Sequence, residues 1–202
     1  MKIALSSSLL PCLVAATFSL AGCASDFNEE EGNAPPAEPV VGVGTEGNAH
    51  WKGGKNAKPT FNDLGLALKA QGSVAGLGNG DVSIDLSAVG QPKAQCTNPG
   101  GGTQPPGQNP VEVSLSGTQA IPADAIKNGS LSFSLQTAAP PAVVAGAPGC
   151  PSSNWTEAIT DVAFSNAHIV VRQNGGVVLD VTCTFSPSTA DGAVPSRNVT
   201  CS

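Results

Sequence analysis

Few residues in this chain of 202 have the chemistry for acid–base or nucleophilic catalysis. His168 is the only histidine after residue 60, and a hydrolase would need it beside a serine supplied by a loop. Neither G-x-S-x-G nor S-x-x-K occurs in the sequence, so no serine is marked as a nucleophile. We therefore predict no catalytic residue, and we keep an envelope hydrolase that uses His168 and a loop serine as an alternative.

Oxygen-bearing side chains alternate along one segment, at Asn79, Asp81, Ser83 and Asp85. Carboxylate and amide oxygens suit Ca²⁺, but alternate side chains on an extended strand lie ~6.5–7 Å apart, too far to surround one ion. The zinc-protease patterns H-E-x-x-H and H-x-x-E-H are also missing from the sequence. We predict no metal site and no cofactor.

The two tryptophans have different surroundings in the sequence. Trp155 is the candidate for stacking on a sugar, although the chain has no tyrosine to extend such a surface. Trp51 belongs to a small basic cluster, His50-Trp51-Lys52 with Lys55 and Lys58. This cluster is either a contact for anionic wall polymer or lipid headgroups, or a solvated linker whose tryptophan packs on the domain, and we favour the linker.

The first 22 residues have the features of an export signal. Lys2 precedes the apolar run Leu9–Leu20, which is too short to span a bilayer and is typical of a signal peptide. The next residues complete Leu20-Ala21-Gly22-Cys23, which resembles the lipobox of bacterial lipoproteins. The resemblance implies a diacylglycerol on Cys23, with a membrane as its partner, and in Gram-negative members Ala24 implies outer-membrane sorting. The alternative is an ordinary secretory signal with an incidental cysteine.

Residues 23–60 are predicted to form a flexible tether, because this segment is rich in Pro, Gly and Glu and has too few apolar residues to order itself. Glu29-Glu30-Glu31 and Pro35-Pro36 are typical of it. The net charge of −6 makes nucleic acid an improbable partner, because phosphate backbones repel an acidic chain.

Four cysteines remain after cleavage of the signal peptide, which contains Cys12, and lipidation of Cys23. An even number in an exported chain predicts two disulfides. Cys183 shares the parity of the apolar face in its segment and lies close in sequence to Cys201, so we pair these two. Cys96 and Cys150 then join two proline-rich loops, the first at Cys96–Pro110 and the second at Ala139–Pro151, and the crossed pairings remain open.

From Phe61 onward, apolar residues recur at every second position, which indicates strands with one buried face. Turn signals rich in Asn and Gly separate these segments. We therefore predict an all-β domain over residues 61–202. Its architecture is an antiparallel β-sandwich of about seven strands, immunoglobulin-like in general outline. One short helical turn is expected within Ile121–Gly129, with Asn128-Gly129 as its C-terminal cap.

One hairpin can be predicted in more detail. A two-residue turn at Asn174-Gly175 would place Ile169 opposite Asp180 and bury a charge. A three-residue loop over Asn174–Gly176 instead places Ile169 opposite Val181, and we predict that loop. Upstream, the apolar parity reverses, which predicts a bulge near Ser165-Asn166.

Several segments resemble a family of uncharacterised exported bacterial proteins, namely Cys96–Gly101, Pro105–Pro110, Trp155–Glu157, Asp161–Phe164 and Val181–Phe185. The resemblance covers most of residues 64–202 and implies export and a single domain. It implies no activity, because none is assigned to that family.

The leading hypothesis is a lipid-anchored protein in an oxidising space outside the cytoplasm, whose sandwich is a non-enzymatic binding or structural module. The alternatives are hydrolysis at His168 and glycan binding at Trp155. Three N-x-S/T sequons, at Asn128, Asn154 and Asn198, are the main argument against the lipobox, because in a eukaryotic source they would carry glycans.

Overall fold

The computed structural model describes residues 48–107 and 110–202, which form two antiparallel β-sheets. The predicted signal peptide (1–22), Cys23 and the tether up to residue 47 lie outside the described residues. Two short 3-10 turns, Ala123–Ala125 and Ser196–Asn198, interrupt the strands. The strands are β1 (His50–Trp51), β2 (Thr60–Asp63), β3 (Leu68–Ala75), β4 (Val82–Thr97), β5 (Thr103–Gln104), β6 (Val113–Ile121), β7 (Ser130–Gln136), β8 (Val143–Val144), β9 (Thr156–Gln173), β10 (Gly176–Phe185), β11 (Gly192–Ala193) and β12 (Val199–Cys201).

The two sheets enclose one apolar core. The first sheet has the order β1-β3-β2-β11, with β7 on the other side of β3; the second has the order β12-β10-β9-β4-β5, with β6 also on β4 and β8 on β9. Phe61 from the first sheet meets Phe185 from the second edge to face, with ring centroids 5.0 Å apart. The predicted all-β sandwich is confirmed, and seven of its strands have four residues or more.

The folded domain includes residues that lie N-terminal to the predicted boundary at residue 61. Strand β1 pairs with β3, and this places Trp51 opposite Val74 on the inner face. The Trp51 ring packs on the core, with its centroid 6.1 Å from that of Phe133. Gly72 makes this packing possible, because a Cβ there would lie 2.9 Å from the Trp51 ring. Trp51 therefore packs on the domain, as in the favoured interpretation, but residues 48–60 are part of the fold and not of a linker.

The hairpin between β9 and β10 has the predicted register but a different turn. Ile169 lies opposite Val181, as predicted. The loop is nevertheless a two-residue turn, in which Asn174 and Gly175 have φ of 51° and 83°, values that suit the twist of a hairpin. A bulge at Val178 supplies the extra residue that restores the apolar register. The bulge predicted near Ser165 is also present, between β9 and β4.

The predicted helical turn is one 3-10 turn, Ala123–Ala125, preceded by Pro122. Asn128-Gly129 does not cap it, contrary to the sequence prediction. These two residues have φ of 51° and 67° and form a hairpin turn that joins Lys127 to Ser130. An Asn-Gly pair with two left-handed residues fits this turn better than a helix end.

Strands β4 and β9 are longer than the rest of their sheet, with 16 and 18 residues. At ~3.3 Å per residue β4 is about 53 Å long, twice the length of β3. The far halves of these strands therefore extend past the first sheet, where β5, β8 and two proline-rich loops flank them. Bulges at Ser165 and Thr160 keep the apolar residues of β9 on the inner face along this extension.

Residues 48–107 and 110–202 contain two disulfides, and they are the two pairs favoured from the sequence. Cys96 on β4 is bonded to Cys150 in the second proline-rich loop, and Cys183 on β10 is bonded to Cys201 on β12. Such bonds are compatible with an oxidising space outside the cytoplasm. Across the described ranges, none of the helical segments has the length and apolar character needed to cross a bilayer.

Candidate functional site

His168 lies on the outer face of the larger sheet, between Ser87 on β4 and Thr182 on β10. Its Nε2 is 2.6 Å from Oδ1 of Asp180, and both side chains are substantially exposed. In the described part of the chain, no serine hydroxyl forms a hydrogen bond with His168. His168 and Asp180 therefore form an exposed contact on a sheet face, which is an ion pair when the imidazole is protonated. No nucleophile among the described residues is hydrogen-bonded to this histidine.

The segment considered for calcium lies at the start of β4, between β6 and β9, and its carboxylates have separate partners. Asp81 Oδ1 accepts a hydrogen bond from the Ala123 N–H at 2.9 Å. Asp85 accepts one from the Thr118 hydroxyl at 2.8 Å and another from the Arg172 guanidinium. These contacts connect neighbouring strands and do not bring the two carboxylates together.

The two tryptophan regions are also separate from each other. Trp155 is half-buried in the bend before β9, and its backbone N–H donates to the Ser152 carbonyl at 3.1 Å. Trp51 borders a cavity of about 430 Å³ beside β12. Within that cavity wall, the Lys58 ammonium donates to the carbonyls of Ser196 and Val199 at 2.7 and 2.6 Å. Of the basic cluster, Trp51 and Lys58 are therefore engaged by the domain.

The structure brings together three carboxylates that the sequence analysis missed. Asp63, Asp161 and Asp191 each offer an oxygen, and these oxygens lie within 4.8 Å of one another. Burial raises the pKa of Asp63, while hydrogen bonds from Thr189 and the Gly65 N–H lower it and the charges of Asp161 and Asp191 raise it further.

Protein groups already satisfy much of this carboxylate cluster. Asp63 Oδ1 accepts the Gly65 N–H at 2.9 Å, and its other oxygen accepts the Thr189 hydroxyl. Asp161 accepts the Lys93 ammonium at 2.7 Å, which raises the pKa of Lys93 by hydrogen bonding and by charge. Hydrogen bonds within the protein therefore hold Asp63 and Asp161 in place. We call these two carboxylates together with Asp191 the acidic corner.

A mainly apolar pocket of about 330 Å³ lies on the inner face of the extended end of β9. Its volume is at the small end of the range for ligand pockets, about 300–1,000 Å³. Such pockets combine apolar walls with a few polar groups, and this one has a single ionisable side chain. Its walls come from the segment before β6, from the first residue of β6, from β8, from the second proline-rich loop and from β9: Pro110, Val111, Val113, Val144, Pro148, Gly149, Glu157 and Ile159.

Glu157 is the charged residue of this pocket, and only 1% of its surface is exposed. Its Oε2 accepts the Gly149 N–H at 2.9 Å. In residues 48–107 and 110–202, the ion pairs join Lys93 to Asp161, His168 to Asp180 and Arg172 to Asp85, so none involves Glu157. A buried carboxylate without a cation is uncommon, because desolvation of the charge costs several kcal/mol.

Sequence reasoning missed Glu157, although a signal for it existed. Glu157 is two residues before Ile159 and therefore has the parity of a buried position. In the same way, Asp63 follows Phe61 at a spacing of two on β2. A charged residue in phase with buried neighbours is the pattern that would have marked both.

Comparisons of this chain with protein-family models, with curated proteins and with solved structures give no match. The function must therefore be argued from the site, because a sandwich architecture alone serves many unrelated activities.

Proposed function

We propose that this chain is an exported lipoprotein, anchored through Cys23, whose β-sandwich is a non-enzymatic binding module. The leader and the segment Leu20–Cys23 support the anchor, and the two disulfides are compatible with the oxidising space in which such a domain would work. The observation that carries the binding function is the apolar pocket lined by Glu157.

The make-up of the pocket favours binding over catalysis. Acid–base and nucleophilic mechanisms need at least two groups in register, such as a nucleophile and its base. Glu157 is the one ionisable side chain in the pocket wall, beside valine, isoleucine, proline and glycine. This composition can hold an apolar molecule and orient one polar group of it.

The anchor is tested by mass spectrometry and fractionation of the chain expressed in a bacterial host. We expect a diacylglycerol on Cys23, and we expect Cys23→Ser to remove the lipid and release the domain from membranes. Cys12→Ser, in the leader, is the matched control and should leave the lipid in place. Membrane retention of Cys23→Ser without lipid would refute the anchor.

The pocket is tested with 2-phenylethanol, a small neutral probe, by ligand-detected NMR. Val144→Asp places a charge in the pocket wall and should weaken binding at least tenfold. Val143→Asp is the matched control, because Val143 precedes Val144 in β8 and is 55% exposed outside the pocket wall. Equal loss in both variants would show that the probe does not bind in this pocket and would contradict the binding function.

A second candidate, an envelope hydrolase, is favoured by one observation, the 2.6 Å contact that orients His168 on Asp180. It predicts an esterase or glycosidase activity that His168→Ala abolishes. Assay of the native chain against a panel of ester and glycoside substrates separates the two candidates. A robust activity lost in that variant would replace the binding module by the enzyme.

A further inference from the structure

We infer that the pocket lined by Glu157 binds a small molecule with an ammonium head and an apolar body, the carboxylate of Glu157 receiving the head. The inference rests on the proposed binding function and names the ligand class for that same site. The carboxylate of Glu157 has no cation partner among the described residues, so a positively charged head is the group that complements it.

Glu157 has more hydrogen-bonding capacity than the protein uses. An ionised carboxylate offers about four acceptor positions, and the contact in the described chain is the one from the Gly149 N–H to Oε2. The ion pairs of the described residues do not include Glu157. An ammonium group supplies three donors and a positive charge, so it can complete the hydrogen bonds of the carboxylate and neutralise it.

The rest of the pocket fits an apolar body. Val113, Val144 and Ile159 provide aliphatic walls, and Pro110 and Pro148 add ring carbons without side-chain donors. A volume of about 330 Å³ corresponds to about eleven waters at ~30 Å³ each, or a ligand of about ten non-hydrogen atoms. Burial of such a body removes apolar surface from water and favours binding.

The carboxylate is held in place before any ligand arrives. Glu157 lies opposite Cys96 in the pairing of β9 with β4, and its hydrogen-bond donor Gly149 is adjacent to Cys150. The Cys96–Cys150 disulfide therefore fixes both partners of this hydrogen bond. A preorganised polar group loses little conformational freedom on binding, which favours affinity and selectivity.

The test compares three probes of nearly equal size, 2-phenylethylammonium, 2-phenylethanol and phenylacetate, by calorimetry at neutral pH. We expect the native chain to bind the ammonium at least tenfold more tightly than the alcohol and to bind the carboxylate most weakly. In Glu157→Gln the amide oxygen can still accept the Gly149 N–H, so the alcohol should bind within threefold of its native affinity. The ammonium preference should disappear in that variant.

The outcomes separate the two proposals, and the native chain alone suffices if Glu157→Gln does not fold. Equal binding of ammonium and alcohol by the native chain, or retention of the preference in Glu157→Gln, overturns the ammonium ligand and leaves the binding function in place. Failure of all three probes to bind the native chain overturns both.

Discussion

Asp63 shows how one buried carboxylate can make the stability of the domain depend on pH. It lies on the inner face of β2 with 2% of its surface exposed. Burial is the main reason that its pKa lies above the ordinary 3.8, and Asp161 and Asp191 raise it further by repulsion. Lys93 is the neighbouring cation, and it is paired with Asp161.

The sign of the pH effect follows from the direction of this shift. Between pH 3.8 and the raised pKa, the unfolded chain has lost the Asp63 proton while the folded chain retains it. The folded state then binds more protons, so the free energy of unfolding falls as pH rises through this window. We expect Asp63→Asn to remove this fall, measured by urea unfolding from pH about 3 to about 7.

Asp124→Asn is the control for this experiment, because Asp124 is an exposed residue of the 3-10 turn. It should leave the pH dependence of the native chain unchanged. An unaltered slope in Asp63→Asn would show that Asp63 is not the source of this pH dependence.

At the scale of the elements, bulges adjust which residues of β9 and β10 face the core. Ser165 and Thr160 are the extra residues in β9, and Val178 is the extra residue in β10. Each reverses the parity of the strand beyond it, because side chains alternate between faces. Without the bulge at Val178, the turn at Asn174-Gly175 would place Asp180 opposite Ile169.

Deletion of Val178 is expected to be mild. The strand would then run from the same turn without a bulge, and Ile169 would remain opposite Val181. The loss of one half-buried valine should lower the free energy of unfolding by about 1–2 kcal/mol in urea titrations.

Deletion of Ser87 in the middle of β4 is the contrasting control. It shifts the strand by one residue against both β6 and β9, and should cost more than ~4 kcal/mol or prevent folding. Comparable losses in the two variants would mean that the bulge does not act as a register adjustment.

The sequence was sufficient for the elements whose burial follows a local period. Val82, Ile84 and Leu86 alternate with polar residues, and this local pattern predicts a strand with one buried face. The predicted turn at Asn174 was wrong. The prediction explained the apolar register by a three-residue loop, whereas in the structure a bulge at Val178 sets that register. Both solutions keep the same pairs, so the periodicity could not distinguish them.

The pocket and the acidic corner could not be predicted because each joins distant parts of the chain. Asp63 comes from β2, Asp161 from β9 and Asp191 from the loop before β11. The pocket of Glu157 depends on how two proline-rich loops fold over the end of β9. Parity indicates that a residue is buried, but it does not indicate which distant residues surround it.

At the scale of the whole domain, the two disulfides act on different regions. Cys183–Cys201 joins β10 to β12 within the sandwich, with a sequence separation of 18 residues. Cys96–Cys150 joins the extended end of β4 to the loop that lines the pocket, with a separation of 54 residues. Loop-closure entropy gives about 3 kcal/mol for the first and about 4 kcal/mol for the second.

Removal of each disulfide should therefore have a distinct effect on binding. We expect Cys96→Ala with Cys150→Ala to lower both the free energy of unfolding and the affinity for 2-phenylethanol. Cys183→Ala with Cys201→Ala should lower the free energy of unfolding and leave that affinity within threefold at temperatures where the domain is folded. Unfolding curves and NMR titrations measure the two effects, and equal affinities in both variants would disprove this division.

Strand β1 has a mechanical consequence under the proposed anchor at Cys23. A pull from the membrane enters the domain at His50, and β1 holds to β3 by the pairing of only two residues. Strand β1 should detach first and move Trp51 away from Phe133. Both disulfides lie C-terminal to β1, so neither of them ties this strand to the rest of the domain. Release of residues 48–57, up to the hydrogen bonds of Lys58, adds roughly 35 Å of reach at about 3.3–3.6 Å per residue. The domain can thus lengthen its own attachment under tension before the sandwich gives way, and Trp51 fluorescence would report the event.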